Sequence, residues 1–402
     1  MFTLLGRYHT RAVVRFISTQ GHPFSTKTYF RINPRVALVD ERVSIKVNDL
    51  RPLQRVTVRT CVEEGKAVFC SCGHFQADQQ GQVDIAEHAS TGGTYKVSHD
   101  SMGLFWSMKP VPGISKDLLL RKGDVTTPLV FRLSVIDGHI PLEDPQLATP
   151  VVLATEELER WYKHEAVRRT VVREGSLRGT LFLPEGEGPF PGIIDMFGST
   201  GGLTEFRAAL LASRGFASYA LPFFGHDDLP PSLADFDFDY VLGAVDWFAC
   251  HPSVRQGGIG VVGTSKGGEL ALLLGMATNK VNVHGRTMPR SCICVAMMMA
   301  CGWIHTLKTF METCPEEKRK NVELIIYSGA GHLIEPPYMP LCRASYHNKL
   351  GMTLVMGGQL EGHAVAQRRR LEETAPILPE TSVVDTKTDK LLTYRDHAYC
   401  MF

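Results

Sequence analysis

The chain has 402 residues, a formal net charge of +1, 44% hydrophobic residues and 21% charged residues. This length predicts more than one domain, and the near-zero net charge disfavours nucleic-acid binding, which usually needs a basic surface. No run of 18 or more apolar residues occurs, so we expect no membrane span.

The N-terminal segment is basic and free of acidic residues. Residues 1–39 contain six Lys or Arg residues, interspersed with Ser and Thr, and no Asp or Glu. This composition is typical of a mitochondrial transit peptide, which we predict over residues 1–33. A basic tail without a targeting role is the alternative. The expected location is therefore the mitochondrial matrix, with the cytosol as the alternative.

Short strand patterns fill residues 34–153. Residues 43–47, 56–59 and 130–135 alternate between apolar and polar with period two, and glycine-containing turns separate such stretches. Several short strands at this spacing predict a β-sandwich. No Ser, His and acid with catalytic spacing lie in this region, so we interpret it as a structural or substrate-shaping domain.

The chain contains ten cysteines but no Cys-x-x-Cys pair. Cys70 and Cys72 are two residues apart, as are Cys292 and Cys294, which puts each pair on one face of a strand. We interpret them as buried thiols that pack as small apolar residues, with a metal or redox site as the alternative. The spacing does not predict disulfides and indicates a reducing compartment.

The pattern changes in the second half of the chain. Residues 156–164 are predicted to be a linker or a short helix. Beyond them, predicted strands (177–184, 191–197, 216–221, 258–262) alternate with predicted helices (203–213, 232–250). This alternation predicts a parallel sheet covered on both faces, in a domain over residues 165–372. Residues 373–402 have no sustained period and are predicted to be a poorly ordered tail.

A Gly-x-Ser-x-Gly motif stands between a predicted strand and a predicted helix. Residues 263–267 match the turn called the nucleophile elbow. Gly263 and Gly267 leave room for the sharp turn, and the N-terminus of the following helix directs its positive end at the serine oxygen. We therefore predict Ser265 as a nucleophile. An ordinary turn with a helix-capping serine is the alternative.

Two backbone segments are candidates for an oxyanion hole. One N–H group is expected from Lys266, directly after the nucleophile, and another from a loop after an earlier strand. Phe197 and Gly198 begin such a loop, and its glycines allow close backbone approach. A glycine-rich connection without a catalytic role is the alternative.

The histidine base is expected late in the chain, in the order serine, acid, histidine. His332 follows a predicted short apolar strand at residues 324–327 and fits this position. His305, His347 and His363 compete with it but follow no such strand clearly.

The triad acid has no clear candidate. No Asp lies between Ser265 and His332, and the only carboxylates there are Glu269, Glu312, Glu316, Glu317 and Glu323. None stands at the tip of a predicted strand. Because the acid orients and stabilises the charged histidine, its loss can lower kcat by about 10⁴. A weak or inactive enzyme is therefore an alternative.

These motifs resemble the acyl-CoA thioesterase and bile acid-CoA:amino acid N-acyltransferase family over residues 34–367. The specific stretches are residues 194–198, 263–270 and 331–338. The resemblance implies an α/β-hydrolase catalytic domain preceded by an immunoglobulin-like β-sandwich, acting without a metal or organic cofactor. It also implies a triad aspartate before the histidine, but residues 301–320 are too short to hold the segment that carries it.

The residue at the elbow separates the two activities of this family. The N-acyltransferases use cysteine there, whereas a serine ester intermediate suits hydrolysis by water. We therefore expect acyl-CoA as the substrate and hydrolysis to a fatty acid and coenzyme A, with His332 as the base. An impaired acyl-CoA-binding relative, an N-acyltransferase and another esterase or peptidase are the alternatives. The sequence predicts no oligomeric state.

Overall fold

A computed structural model gives the fold of the chain. It describes residues 27–96, 99–111, 119–142, 150–281, 293–296, 327–334, 336–347 and 351–374, with residues 312, 316 and 325. Most of the predicted transit peptide and nearly all of the predicted tail lie outside these residues. Within them, no helix is long and apolar enough to cross a membrane.

The N-terminal region consists of strands and one short helix, α1 (Gly103–Trp106). The strands are β1 (Tyr29–Asn33), β2 (Val36–Leu38), β3 (Ser44–Asn48), β4 (Arg55–Glu64), β5 (Ala67–Gln76), β6 (Val83–Asp84), β7 (Lys109–Pro110), β8 (Leu129–Asp137) and β9 (Val152–Trp161). They form a sheet of order β1-β3-β6 and a sheet of order β2-β9-β8-β4-β5-β7.

Both N-terminal sheets bury apolar side chains in one shared cluster. Ile32 of β1 and Ile45 of β3 belong to it together with Val58 of β4 and Leu133 of β8. The alternation of buried and exposed residues along these strands matches a sheet with one face on a core. The predicted β-rich region is confirmed, whereas its immunoglobulin-like character and the domain boundaries stay predictions.

The prediction of a linker or short helix at residues 156–164 was wrong. Residues 152–161 form β9, which pairs antiparallel with β8 and parallel with β2. The many charged side chains of β9 hid the strand pattern, yet Leu158 and Arg160 are buried. The β-rich region was predicted over residues 34–153. Strand β1 begins before this range, and β9 extends beyond it.

Two cysteines form a disulfide that their spacing did not predict. Cys61 of β4 and Cys70 of β5 face each other in the antiparallel pair, with their Cα atoms 4.2 Å apart. Pairing across a hairpin depends on strand register, which a search for spacing motifs does not detect. Cys72 is a buried free thiol, in agreement with the prediction for that residue.

The C-terminal region has the predicted α/β architecture. Its elements are β10 (Arg168–Glu174), β11 (Leu177–Leu183), β12 (Gly192–Met196), α2 (Phe206–Ser213), β13 (Ala217–Ala220), a 3₁₀ turn (Leu233–Asp235), α3 (Phe238–Ala249), β14 (Gly260–Thr264), α4 (Lys266–Ala277), β15 (Ile293–Ala296), β16 (Ala344–His347), β17 (Met352–Val355) and α5 (Leu360–Thr374).

The main C-terminal sheet has the order β10-β11-β13-β12-β14-β15. Strand β12 pairs in parallel with β13 and β14, and β14 pairs in parallel with β15. Strand β11 pairs antiparallel with β10 and β13, so the predicted parallel pairing holds only for β13, β12, β14 and β15. Every residue of β12 is buried, as expected for a central strand with both faces covered. Helices α3 and α4 share one apolar cluster with the sheet, and α2 contributes to the other.

Buried ion pairs join the two regions. The carboxylate of Asp100, whose side chain is 1% exposed, accepts hydrogen bonds from Arg42, from the Trp106 indole and from Arg368 of α5 at 3.0–3.1 Å. Arg214, at the end of α2, pairs with Asp40 of the N-terminal region. The relative position of the two regions therefore depends on charged contacts as well as apolar packing.

We predict that Asp100→Ala lowers the free energy of unfolding by on the order of 3 kcal/mol, because it leaves two arginines and a buried indole N–H without their acceptor. Urea denaturation monitored by tryptophan fluorescence measures this loss. Glu157→Ala is the control, since Glu157 forms an exposed pair with Arg132 and such pairs contribute at most about 1 kcal/mol. Equal losses of unfolding free energy in the two variants would contradict the prediction.

Candidate active site

Ser265 occupies a strained turn between the central sheet and a helix. Strand β14 ends at Thr264 and α4 begins at Lys266, so Ser265 alone connects them. Its backbone has φ 57° and ψ −120°, a combination that residues other than glycine rarely adopt. The structure thus places Ser265, half-buried, at the predicted strand-to-helix turn that ends a parallel strand.

The two glycines of the motif are required by close backbone packing. A Cβ atom on Gly263 would lie 2.1 Å from the carbonyl oxygen of Gly267, and one on Gly267 would lie 2.3 Å from the carbonyl oxygen of Phe197. Real Cβ atoms do not come this near to backbone oxygens. Any larger residue at either position would separate α4 from the sheet.

The predicted oxyanion segments lie beside Ser265. A Cβ atom on Gly198 would lie 3.2 Å from the Ser265 Cβ and 3.7 Å from its Oγ. Lys266 is the first residue of α4, and its side chain turns away to pair with Glu269 at 2.7 Å. The backbone of Phe197 and Gly198 therefore adjoins the serine on one side and the backbone of Lys266 on the other.

His332 is buried, and one of its two ring nitrogens lacks a hydrogen bond. The imidazole is 5% exposed, and its buried Nδ1 has no hydrogen-bond partner. Burial lowers the pKa of His332 to about 4. Among the described residues no hydrogen bond joins His332 to Ser265, although the two residues after His332 line the same cleft as Thr264.

No described carboxylate accepts a hydrogen bond from His332. Glu269 is held by Lys266, and Glu312 and Glu316 have exposed side chains. Glu317 and Glu323, the remaining candidates, lie outside the described residues. The triad acid thus has no residue assigned to it within the described part of the chain.

The competing histidines have other contacts. His363 of α5 is 1% exposed and accepts a hydrogen bond from the backbone N–H of Gly331 at 3.1 Å, which fixes the loop that carries His332. Burial lowers the pKa of His363 to about 4. The Nε2 of His347 lies 3.2 Å from the Oγ of Ser199, next to Gly198. His305 lies outside the described residues.

A mainly apolar cleft opens beside Ser265. The free space among its walls is about 390 Å³, much of it open to solvent. Both regions of the chain contribute to its walls, which consist of Leu119, Leu120, Arg121, Tyr162, Phe197, Phe206, Thr264, Leu333, Ile334 and Pro336. The lining is therefore mainly apolar, with Arg121 as its charged residue.

A buried charged network next to the serine was missed by the sequence analysis. Arg207 of α2 donates to Asp195 of β12 at 2.8 Å and to the Thr264 hydroxyl at 2.7 Å, and also to the carbonyl oxygen of Met196 at 3.2 Å. The side chains of Arg207 and Asp195 are 7% and 3% exposed. The sequence does show an Asp within a predicted apolar strand and an Arg within a predicted apolar helix. Since buried charges are rare unless paired, these two residues could have indicated the pair.

Comparison with known proteins identifies the family. A model described as "Acyl-CoA thioester hydrolase/BAAT N-terminal region" matches residues 40–174, and one described as "BAAT / Acyl-CoA thioester hydrolase C terminal" matches residues 236–291 and 304–378. The chain belongs to this family. Bile acid-CoA:amino acid N-acyltransferase of Mus musculus is 34% identical, with 88% of this chain and 97% of that protein aligned.

Relatives with the other activity are equally similar. Acyl-coenzyme A thioesterase 1 of Homo sapiens is 34% identical, with 82% of this chain and 90% of that protein aligned. Acyl-coenzyme A thioesterase 2, mitochondrial, of Homo sapiens is also 34% identical, with 82% and 79% aligned. Because relatives with and without the mitochondrial designation match equally well, the location of this chain stays a prediction.

The family match is interrupted after α4. Residues 292–303 lie between the two matched parts of the C-terminal model. The alignment with the mouse acyltransferase runs over 413 positions, more than the 402 residues of this chain. That relative therefore has residues without a counterpart here.

We predict that Arg207→Met lowers the free energy of unfolding by about 3–5 kcal/mol, because it removes the arginine that pairs with the buried Asp195 carboxylate. The double variant Asp195→Leu/Arg207→Met should lose less than the single variant, since it removes both charges. Urea denaturation of the two single variants and the double variant measures this coupling. Additive losses would contradict the prediction.

Proposed function

We propose that the protein hydrolyses fatty acyl-CoA thioesters to a fatty acid and coenzyme A through an acyl-enzyme on Ser265. The observation that carries this proposal is the strained Ser265 turn, which lies against Gly198 and directly follows Thr264, a residue of the apolar cleft. Membership of a family of acyl-CoA thioester hydrolases and acyltransferases supports acyl-CoA as the substrate.

In the proposed first step, the Ser265 hydroxyl attacks the thioester carbonyl carbon and passes its proton to the imidazole of His332. The tetrahedral oxyanion accepts hydrogen bonds from the backbone N–H groups of Lys266 and the Phe197–Gly198 segment. The positive end of the 12-residue helix α4 also favours this charge. The carbon–sulfur bond then breaks, and coenzyme A leaves as the thiol with the proton from His332.

In the second step, His332 removes a proton from water, which attacks the carbonyl carbon of the Ser265 ester. The bond to the serine oxygen breaks, His332 returns the proton to that oxygen, and the fatty acid leaves. The hydrogen bond between Ser265 and His332 that both steps need is expected to form in the substrate complex, since catalytic hydrogen bonds often tighten there. A serine ester favours water as the acceptor, which argues against the N-acyltransferase alternative.

The isolated His332 favours a second candidate function, acyl-CoA binding without rapid turnover. With no carboxylate at Nδ1, burial disfavours the charged imidazole by on the order of 3 kcal/mol relative to an exposed histidine. The charged form is the one that must accumulate as the serine attacks. We therefore expect slow hydrolysis, by about 10⁴ relative to a complete triad.

We predict slow release of thiol from palmitoyl-CoA that disappears in Ser265→Ala and falls strongly in His332→Ala, because these side chains supply the nucleophile and the base. A colorimetric thiol assay measures the release, and a fluorophosphonate probe reports whether Ser265 is reactive. Thr204→Ala, outside the cleft lining, is the control. A folded protein that binds acyl-CoA but releases no thiol and stays unlabelled would support the second candidate instead.

The pH dependence of kcat/KM gives an independent prediction. The base works as neutral imidazole, which is lost as the pH falls through the pKa of His332 at about 4. The acid limb should therefore lie near pH 4, well below the usual histidine value, and activity should be level from about pH 5 to 7. An acid limb near pH 6.5, the ordinary histidine value, would contradict this, since it would show that burial does not lower the pKa of His332 in the active enzyme.

A further inference from the structure

We infer that Arg121 of the N-terminal region binds an anionic group of the thioester substrate at the mouth of the cleft. The group is a phosphate of coenzyme A or a carboxylate at the far end of the acyl chain. This inference rests on the proposed function of the same cleft, and it assigns a substrate contact to the N-terminal region.

Arg121 is positioned at the candidate site by a segment that precedes β8. Leu119, Leu120 and Arg121 line the cleft together with Thr264 and Phe197. The guanidinium carbon of Arg121 lies 5.8 Å from the centre of the Phe197 ring, in cation–π contact. The residue whose backbone is proposed to hold the oxyanion therefore also supports the arginine.

Arg121 is the charged residue of an otherwise mainly apolar lining, and no carboxylate among the described residues pairs with it. Its neighbour Lys122 is buried and pairs with Glu64 at 2.8 Å. Within the part of the chain that the structure describes, Arg121 has neither an ion pair nor a hydrogen bond, while its side chain stays exposed to solvent. Five N–H donors thus remain available for a ligand.

The chemistry of a free guanidinium selects for oxyanions. Its planar N–H groups match the geometry of a phosphate or carboxylate in two parallel hydrogen bonds. Crowding by the cleft walls lowers the pKa of Arg121, which stays charged at neutral pH. An anion bound there would accept hydrogen bonds from the guanidinium in place of water and would add a charged contact beside the apolar cleft.

Three non-hydrolysable thioethers separate the two sources of the anion. S-hexadecyl-CoA carries the phosphates, S-hexadecyl-pantetheine lacks them, and S-(15-carboxypentadecyl)-pantetheine carries a terminal carboxylate instead. Titration calorimetry on full-length protein with Ser265→Ala measures binding without any turnover. Arg121→Met removes the charge, Arg121→Lys keeps it, and Arg31→Met is the control because Arg31 is exposed on β1 outside the cleft.

We expect Arg121→Met to lower the affinity for one anionic probe by about tenfold, which is the effect of losing a charged hydrogen bond. If the affinity for S-hexadecyl-CoA falls while the affinity for S-hexadecyl-pantetheine stays unchanged, the ligand of Arg121 is a phosphate. Weakened binding of the carboxylate probe alone identifies a carboxylate. Arg121→Lys should recover part of the loss, and Arg31→Met should change nothing.

Equal affinities of Arg121→Met and its parent for all three probes would overturn the inference, as would failure of every probe to bind. The proposed function is tested separately by thiol release from palmitoyl-CoA. If probe binding depends on Arg121 but the protein releases no thiol, the anion site is supported and the thioesterase proposal is contradicted. If the protein releases thiol but probe binding does not depend on Arg121, the thioesterase proposal is supported and the anion site is contradicted.

Discussion

The left-handed backbone of Ser265 is the constraint on which the candidate site depends. A serine at φ 57° costs on the order of 1–3 kcal/mol, so the surrounding structure must hold it there. Close contact between the Gly267 backbone and the Phe197 carbonyl brings α4 against the end of β12. The same contact brings Gly198 next to the serine, so the turn and the proposed oxyanion segment form together.

The buried pair of Arg207 and Asp195 explains how this arrangement is held in register. Removing two charges from water is expensive, and their attraction offsets that cost only when the remaining donors are also satisfied. Here the remaining donors bond to Thr264 and to the carbonyl oxygen of Met196. The pair therefore ties α2 to the residues that directly precede Ser265 and Phe197, which apolar packing alone would not specify so closely.

Local patterns predicted the parts of the structure that depend on local sequence. The elbow and the alternation of strands and helices each depend on short stretches of sequence, and the structure contains both. Strand β9 was missed because charged residues cover its exposed face, and the Cys61–Cys70 bond because it depends on register across a hairpin. Arg207 and Arg121 were missed because their partners, Thr264 and Phe197, are 57 and 76 residues away in the chain.

The environment of His332 separates two tasks that a complete triad performs together. Its loop is held in position by its backbone bond to Met356 and by the bond from Gly331 to His363, so placement does not require an acid. Stabilisation of the charged imidazole does require one, and the apolar surroundings oppose it. In the proposed mechanism, a chain with this site would still bind a thioester and present the serine, while proton transfer would limit the rate. Substrate affinity and turnover are therefore expected to be uncoupled in this member of the family.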